Sequence, residues 1–306
     1  MAIVTIEDVA HVAFAAPDLS GMARFLEDFG LQAIETGGRV FGLAADDQRP
    51  VHVTEQGDPR FVALGLRAAS LNDLARLAEA EGVDLEDRDA PGGGRMVVLS
   101  DPDGNRVEVV AGQVASAVPR GGAARVWNHS RSRPRDGRAD VSVPKPACIT
   151  RLGHVVLDVA DFRLSEAWYK ARFGFITSDE IEAMPGHALG AFMRCDRGTE
   201  PTDHHTLFLL QHPNGPGFNH AAFEVDDLDD LMAGHYHLQS AGHTAHWGVG
   251  RHILGNQVFD YWRDPWGHVL EHWTDGDRLT AAHGSAKASV MDLLGVQWGP
   301  SMTMPS

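Results

Sequence analysis

The sequence predicts an α+β protein made of four similar strand–helix–strands units, two in each half of the chain. Three internal echoes carry this. HVAFAAPDLSGMARFLEDFGL at 11–31 resembles HVVLDVADFRLSEAWYKARFGF at 154–175, and FVALGLRAASLNDLARLAEAEG at 61–82 resembles FNHAAFEVDDLDDLMAGHYHLQSAG at 218–242. DPDGNRVEVV at 101–110 matches DPWGHVLEHW at 264–273. Repetition on this scale constrains a fold more tightly than local propensity does.

Each element follows from a local pattern. In the first and third units a strand opens on His11 or His154, a polar turn follows, and an amphipathic helix stops at Gly30 or Gly174. Helical spacing shows in Met22, Phe25, Leu26 and Phe29, and in Leu164, Trp168 and Phe173. Glycine at both stops suits the left-handed residue that closes a helix. DPDG and DPWG are turn signals between two strands. The pattern breaks over 113–148, which is rich in Gly, Pro and Ser and carries arginines at 120, 125, 131, 133, 135 and 138. This stretch reads as a linker. A basic recognition patch is the rival reading, but no aromatic stacking platform accompanies it. Beyond Leu279, MDLLGVQWGPSMTMP predicts a short lid or packing strap. The expected organisation is an N-terminal domain at 1–112, a linker at 113–148, a second domain at 149–278 and a tail at 279–306.

Composition narrows the function. The 306 residues are 43% hydrophobic and 22% charged, as in a globular protein large enough for two domains. A net charge of −16 argues against a nucleic-acid partner, since phosphate binding needs a basic face. Acidic runs such as DDLDD at 226–230 read as solvated turns and helix starts. Cys148 and Cys195 cannot build a disulfide framework, and a reducing cytoplasm fits. Cys195 reads as an inert buried thiol. No apolar stretch approaches the ~18 residues of a membrane span. MAIVTIEDVAHVAF lacks a basic n-region and reads as a first strand rather than a signal peptide.

Seventeen histidines make any single one weak evidence, and a lone strand histidine is ordinarily a satisfied core residue. Glu271 differs. It follows Val269 and Leu270 in a run whose alternation turns it inward, where an unpaired carboxylate is costly and a cation is expected. His154 in HVVLDV, His220 in NHAAFEV and Glu271 in HVLEHW occupy β-type runs of the later units. Two imidazoles and one carboxylate are the facial ligand set of non-haem Fe(II) oxygenases, with open positions for substrate and O2.

GRHILGNQVFDYWRDPWGHVLEHW at 250–273, together with the strand-opening histidines and the four βαβββ-like units, resembles the vicinal oxygen chelate superfamily. Within it the stretch is similar to the type I extradiol ring-cleavage dioxygenases of catechols. The resemblance implies two vicinal-oxygen-chelate domains, each of two βαβββ modules forming a half-open barrel. It implies Fe(II), or Mn(II) in its place, held by His154, His220 and Glu271. It implies a catechol-type substrate and O2 as partners, a ring-opened semialdehyde-type product, a role in aromatic hydrocarbon catabolism, and a homo-oligomer. Residue by residue, His205 matches the acid–base histidine, Tyr261 the tyrosine that hydrogen-bonds a substrate oxygen, and His252 a histidine on the oxygen side. Asn256 and Trp247 fall at substrate-pocket positions. Trp247 stands where some relatives carry an arginine for an acidic substrate tail, which implies an apolar or phenolic substituent instead.

Alternatives stand beside these roles. His204 competes with His205, since strand neighbours face opposite ways. His252 follows GVGR, a flexible turn, and can equally be a surface residue. Tyr261 can be a plain core aromatic. His246, His268 and His272 read as exposed or structural. In the first half His11 and Glu108 align with His154 and Glu271, but the place of His220 falls on Ala63, whose methyl group donates no lone pair. That half is expected to hold no metal. Rival functions are a glyoxalase-like isomerase or thiol transferase, which needs no oxygen, and a non-catalytic small-molecule binding protein, which needs no metal.

Overall fold

The first half runs β1 (Ile6–Ala16), α1 (Leu19–Phe29), β2 (Gln32–Thr36), β3 (Arg39–Leu43), β4 (Pro50–Gln56), then β5 (Arg60–Ala68), α2 (Leu71–Glu81), β6 (Glu86–Asp87), β7 (Arg95–Ser100) and β8 (Arg106–Ala111). The second half repeats the plan: β9 (Ile149–Val159), α3 (Phe162–Phe173), β10 (Ile176–Met184), β11 (His187–Arg194), β12 (Thr202–Asp203), β13 (Leu207–Gln211), then β14 (Gly217–Val225), α4 (Leu228–Ser240), β15 (Thr244–His252), β16 (Val258–Arg263) and β17 (Val269–Thr274). Five short elements follow: β18 (Arg278–Leu279), a 3-10 turn (Ala281–His283), β19 (Ala286–Ser289), α5 (Val290–Leu294) and β20 (Val296–Trp298). This is a computed structural model, and it describes residues 2–45, 47, 49–115, 126–138 and 142–301.

Two sheets result. The first has eight strands in the order β2-β3-β4-β1-β5-β8-β7-β6. The second has ten in the order β19-β10-β11-β13-β9-β14-β17-β16-β15-β20. In each, the two units meet at one antiparallel seam, β1 on β5 and β9 on β14. The first strand of each seam, β1 and β9, is buried along most of its length, which explains its nearly continuous apolar sequence.

Local chemistry sets the element ends. Asp18, Ser70, Asp161 and Asp227 each accept a backbone N–H three residues on, closing the starts of the four long helices, at about 1 kcal/mol apiece. Gly30 and Gly174 end α1 and α3 in the left-handed region, at φ 112° and 71°. The DPDG and DPWG turns are built alike. Asp101 Oδ1 accepts from the amides of Asp103 and Asn105, and Asp264 Oδ1 from those of Trp266 and His268.

One pattern needs correction. The inward face of α3 is Phe162, Tyr169 and Phe173, not a stripe beginning at Leu164, which is 58% exposed. The cap places Leu164 on the first turn, facing away from the sheet. Within the expected linker, Arg131, Arg133 and Arg138 are exposed, while Arg120 and Arg125 lie outside the described residues, as do Met302 and Met304.

The halves share one apolar core. Phe14 meets Phe218 edge-on at 5.0 Å, and Phe29 meets Phe223 at 5.6 Å. His272 is fully buried and its Nε2–H donates to the Phe29 carbonyl at 2.8 Å, a structural role. No helix among the described residues is long and apolar enough to cross a membrane.

Candidate metal centre

Sheet register assembles the site. On β14, Ala222 lies opposite His154 of β9 on one side and Glu271 of β17 on the other. Tyr261 of β16 faces Glu271 in turn. His220 lies two residues before Ala222 and therefore on the same face. The donor atoms of His154, His220 and Glu271 all lie within 4.8 Å of one another.

The details fit a cation. Both Glu271 oxygens are buried without a hydrogen-bond partner. The nearest imidazole nitrogens, His154 Nε2 and His220 Nε2, are each 3.4 Å from Oε2, too long for a good hydrogen bond. Three donors thus face a common point rather than one another. Burial alone would raise the Glu271 pKa, but the two imidazoles outweigh it and hold the carboxyl well below the usual range. His220 Nδ1 contacts Asn219 Oδ1 at 2.8 Å, and Asn219 Nδ2 donates to Asp158 at 3.1 Å. Since the Asn219 oxygen can only accept, Nδ1 carries the hydrogen and the Nε2 lone pair faces the site.

The first half shows the same register without this opening. Gly65 faces His11 and Glu108, and two residues earlier stands Ala63. There His11 Nε2 binds Glu108 directly at 2.8 Å.

A cavity of about 150 Å³ opens over the triad. His205 lines it, 3% exposed, with its ring 4.0 Å from that of His154. Burial, reinforced by the surrounding imidazoles, pushes its pKa well below the ordinary histidine value. His204 is also buried, because this pair precedes β13 and does not follow strand alternation. Its Nε2 contacts Asp179 at 2.6 Å and its Nδ1 contacts His205 Nδ1 at 3.1 Å. With the Asp179 carboxylate oxygen accepting from His204 Nε2–H, the His204 Nδ1 lone pair accepts from His205 Nδ1–H. His205 Nε2 is then left with a lone pair.

His252, expected on a flexible turn, ends β15 and lines the cavity. Burial, against the pull of Glu271, brings its pKa down to about 4. Its Nε2 hydrogen-bonds Tyr261 Oη at 3.0 Å. Burial and the Glu271 charge keep Tyr261 protonated well above its ordinary range. Trp247 lines the cavity too, its Nε1–H donating to the Pro300 carbonyl at 2.8 Å.

Asn256 is not among the cavity-lining residues. It adopts φ 60° in the turn after β15, and its side-chain oxygen accepts from Arg251 and Gln297. The neighbouring Gln257 lines the cavity instead. Sequence reasoning also missed Asn219 and Asp179. The one signal for Asn219 was an amide beside a ligand histidine. Leu293 and Leu294 of α5 reach the cavity as well, while His246 stands exposed at its rim.

The α+β fold thus carries, under an aromatic cavity, a two-histidine, one-carboxylate cluster whose donor set suits a metal ion. The profile of the Glyoxalase/Bleomycin resistance protein/Dioxygenase superfamily matches residues 151–272. Metapyrocatechase 2 of Cupriavidus necator is 30% identical over 302 residues, covering 97% of this chain and 90% of that protein. The 2,3-dioxygenase LapB from Pseudomonas sp. KL28 superposes with a TM-score of 0.76 at 15% identity, covering 94% of this chain and 99% of that one. The Mn(II)-bound glyoxalase from Novosphingobium aromaticivorans gives 0.76 at 24% identity, covering 99% and 96%. The chain belongs to the vicinal oxygen chelate superfamily and, within it, to the extradiol ring-cleavage dioxygenases.

Proposed function

We propose that the protein is an Fe(II)-dependent extradiol dioxygenase that opens the ring of a catechol bearing an apolar substituent, with His154, His220 and Glu271 as metal ligands. The observation that carries this is the buried Glu271 carboxylate, which has no hydrogen-bond partner and faces two histidine Nε2 atoms at 3.4 Å. Iron bound there would supply open coordination positions for a chelating diol and O2, and a path for electrons between them.

The chain's own groups do the rest. Two neutral imidazoles and one carboxylate leave a divalent ion with about one positive charge, which favours an anionic diol oxygen. His205, neutral and with Nε2 bare, takes a phenolic proton and can return it later. Tyr261 stays protonated and offers its hydroxyl to a substrate oxygen, steadied by His252. Val156, Phe192, Phe208 and Leu254 give the walls an apolar surface that excludes water and accommodates an uncharged substituent. The absence of a basic side chain at position 247 agrees with such a substrate. Cys148 and Cys195 are not bonded to each other, in keeping with the cytoplasm as its site of action.

The test is oxygen-electrode screening of alkyl- and aryl-substituted catechols with Fe(II)-loaded protein, reading the absorbance of the ring-opened product alongside. Stoichiometric O2 uptake with product formation is expected. Turnover of a thiol adduct or other substrate without O2 uptake would assign the site to a glyoxalase-like isomerase instead.

A further inference from the structure

The first half contains a second cavity, of about 400 Å³, whose lining includes His11, Phe41, Val53, Arg88 and Met96. It stands where the metal-centre cavity stands in the second half. Ala13, Val53 and Phe41 form one cross-strand row on β1, β4 and β3. The matching row on β9, β13 and β11 is Val156, Phe208 and Phe192, a wall of the metal cavity.

The charges of the two cavities differ. Three carboxylates border the first-half cavity, and each has its own arginine: Asp89 pairs with Arg39 at 2.6 Å, Glu55 with Arg60 at 2.8 Å and Glu108 with Arg106 at 2.7 Å, while Glu108 also hydrogen-bonds His11 at 2.8 Å. Arg88 has no close ion pair among the described residues, although the Glu108 charge reaches it. It is 8% exposed, and its one side-chain hydrogen bond is a long contact of 3.5 Å to the Pro91 carbonyl. Burial lowers its pKa to about 10, yet the guanidinium remains charged at neutral pH. A buried, unpaired guanidinium is unfavourable by itself and is shaped for a planar, two-oxygen anion.

We propose that this cavity binds a small organic carboxylate with an apolar body, the carboxylate on Arg88 and the body against Phe41, Val53 and Met96. One unengaged cation matches one carboxylate. A phosphate dianion would call on Arg39 and Arg106, which are already paired. Phe41, Val53 and Met96 give an aromatic or alkyl body an apolar surface within a lining that is otherwise charged.

Isothermal titration of the full-length, metal-loaded protein under nitrogen, with benzoate as probe and inorganic phosphate as control, tests the assignment. Benzoate should bind the native protein and the His220→Ala variant alike. Arg88→Gln should weaken it by about tenfold to a hundredfold, the worth of a charged hydrogen-bonded pair. Met96→Trp, which fills the body of the cavity and leaves Arg88 in place, should also abolish binding and decides the matter if Arg88→Gln fails to fold. No benzoate binding by the native protein, or unchanged affinity in a folded Arg88→Gln, would overturn the proposal. Binding lost in His220→Ala but kept in Arg88→Gln would assign the ligand to the metal centre. Phosphate binding tighter than benzoate would overturn the ligand class.

Discussion

His220 and Ala63 hold the same register position in the two halves, each two residues before the one that faces the strand histidine and the glutamate. With the imidazole present, His154 and Glu271 stand 3.4 Å apart around a shared point; with the methyl group, His11 and Glu108 have closed to 2.8 Å. One side chain thus separates an open donor set from a closed histidine–glutamate hydrogen bond.

Replacing His220 by alanine should therefore strip the metal and abolish turnover. Asn219→Ala should keep the ligand but weaken metal affinity by about 10–100-fold, because it releases the ring orientation. Metal analysis of anaerobically purified variants checks both. Full metal content in His220→Ala would remove it from the ligand set.

His205→Phe should retain metal and lower kcat by about 10²–10⁴. Asp179→Asn reaches the same group indirectly. Its amide end can donate to His204, which reverses the hydrogen-bond order and leaves His205 Nε2 protonated. A lower kcat with little change in KM is expected, and an unaltered kcat in both variants would take this chain out of proton transfer.

The end of the chain bears on substrate binding. Leu293 and Leu294 line the cavity, and Pro300 accepts from Trp247. Leu293→Ala should raise KM several-fold to about tenfold with kcat nearly kept, since a few buried methyl groups are lost from the wall. Deleting 280–306 should raise KM further. Steady-state kinetics on the substituted catechol found by screening would show this, and unchanged KM in both would leave the segment purely structural.

Acid should destabilise the first half through His52. This fully buried imidazole stacks on Phe14 at 5.0 Å, and burial brings its pKa down to about 3. The unfolded chain binds the proton more readily, near pH 6.5. Stability from this group is complete above pH 6.5 and is lost as pH falls from there toward 3, at up to about 1.4 kcal/mol per pH unit. His52→Phe should flatten that part of the profile. Urea midpoints at pH 7.5 and pH 5 give the comparison, and an equal drop in both proteins would point to other groups.

The parts legible in sequence were those repeated in it. The glycine stops, the Asp-Pro turns and the strand-opening histidines recur at matching places, and the alternation around Glu271 turned it inward. Asn256 was misassigned because order within a motif does not say which face a turn residue presents, and here φ 60° directs its side chain to Arg251. The Asp179–His204–His205 chain could not be read, since its first two members are 25 residues apart and meet only through strand pairing. AKAS and VQW are too short and too polar to announce β19 and β20.

Those two short strands are the outermost members of the ten-stranded sheet, one along β10 and the other along β15. The last stretch of chain therefore covers both free rims of that sheet at once. A truncated protein would present two rows of bare amides and carbonyls, and the hazard it meets first is joining rim to rim with its own copies.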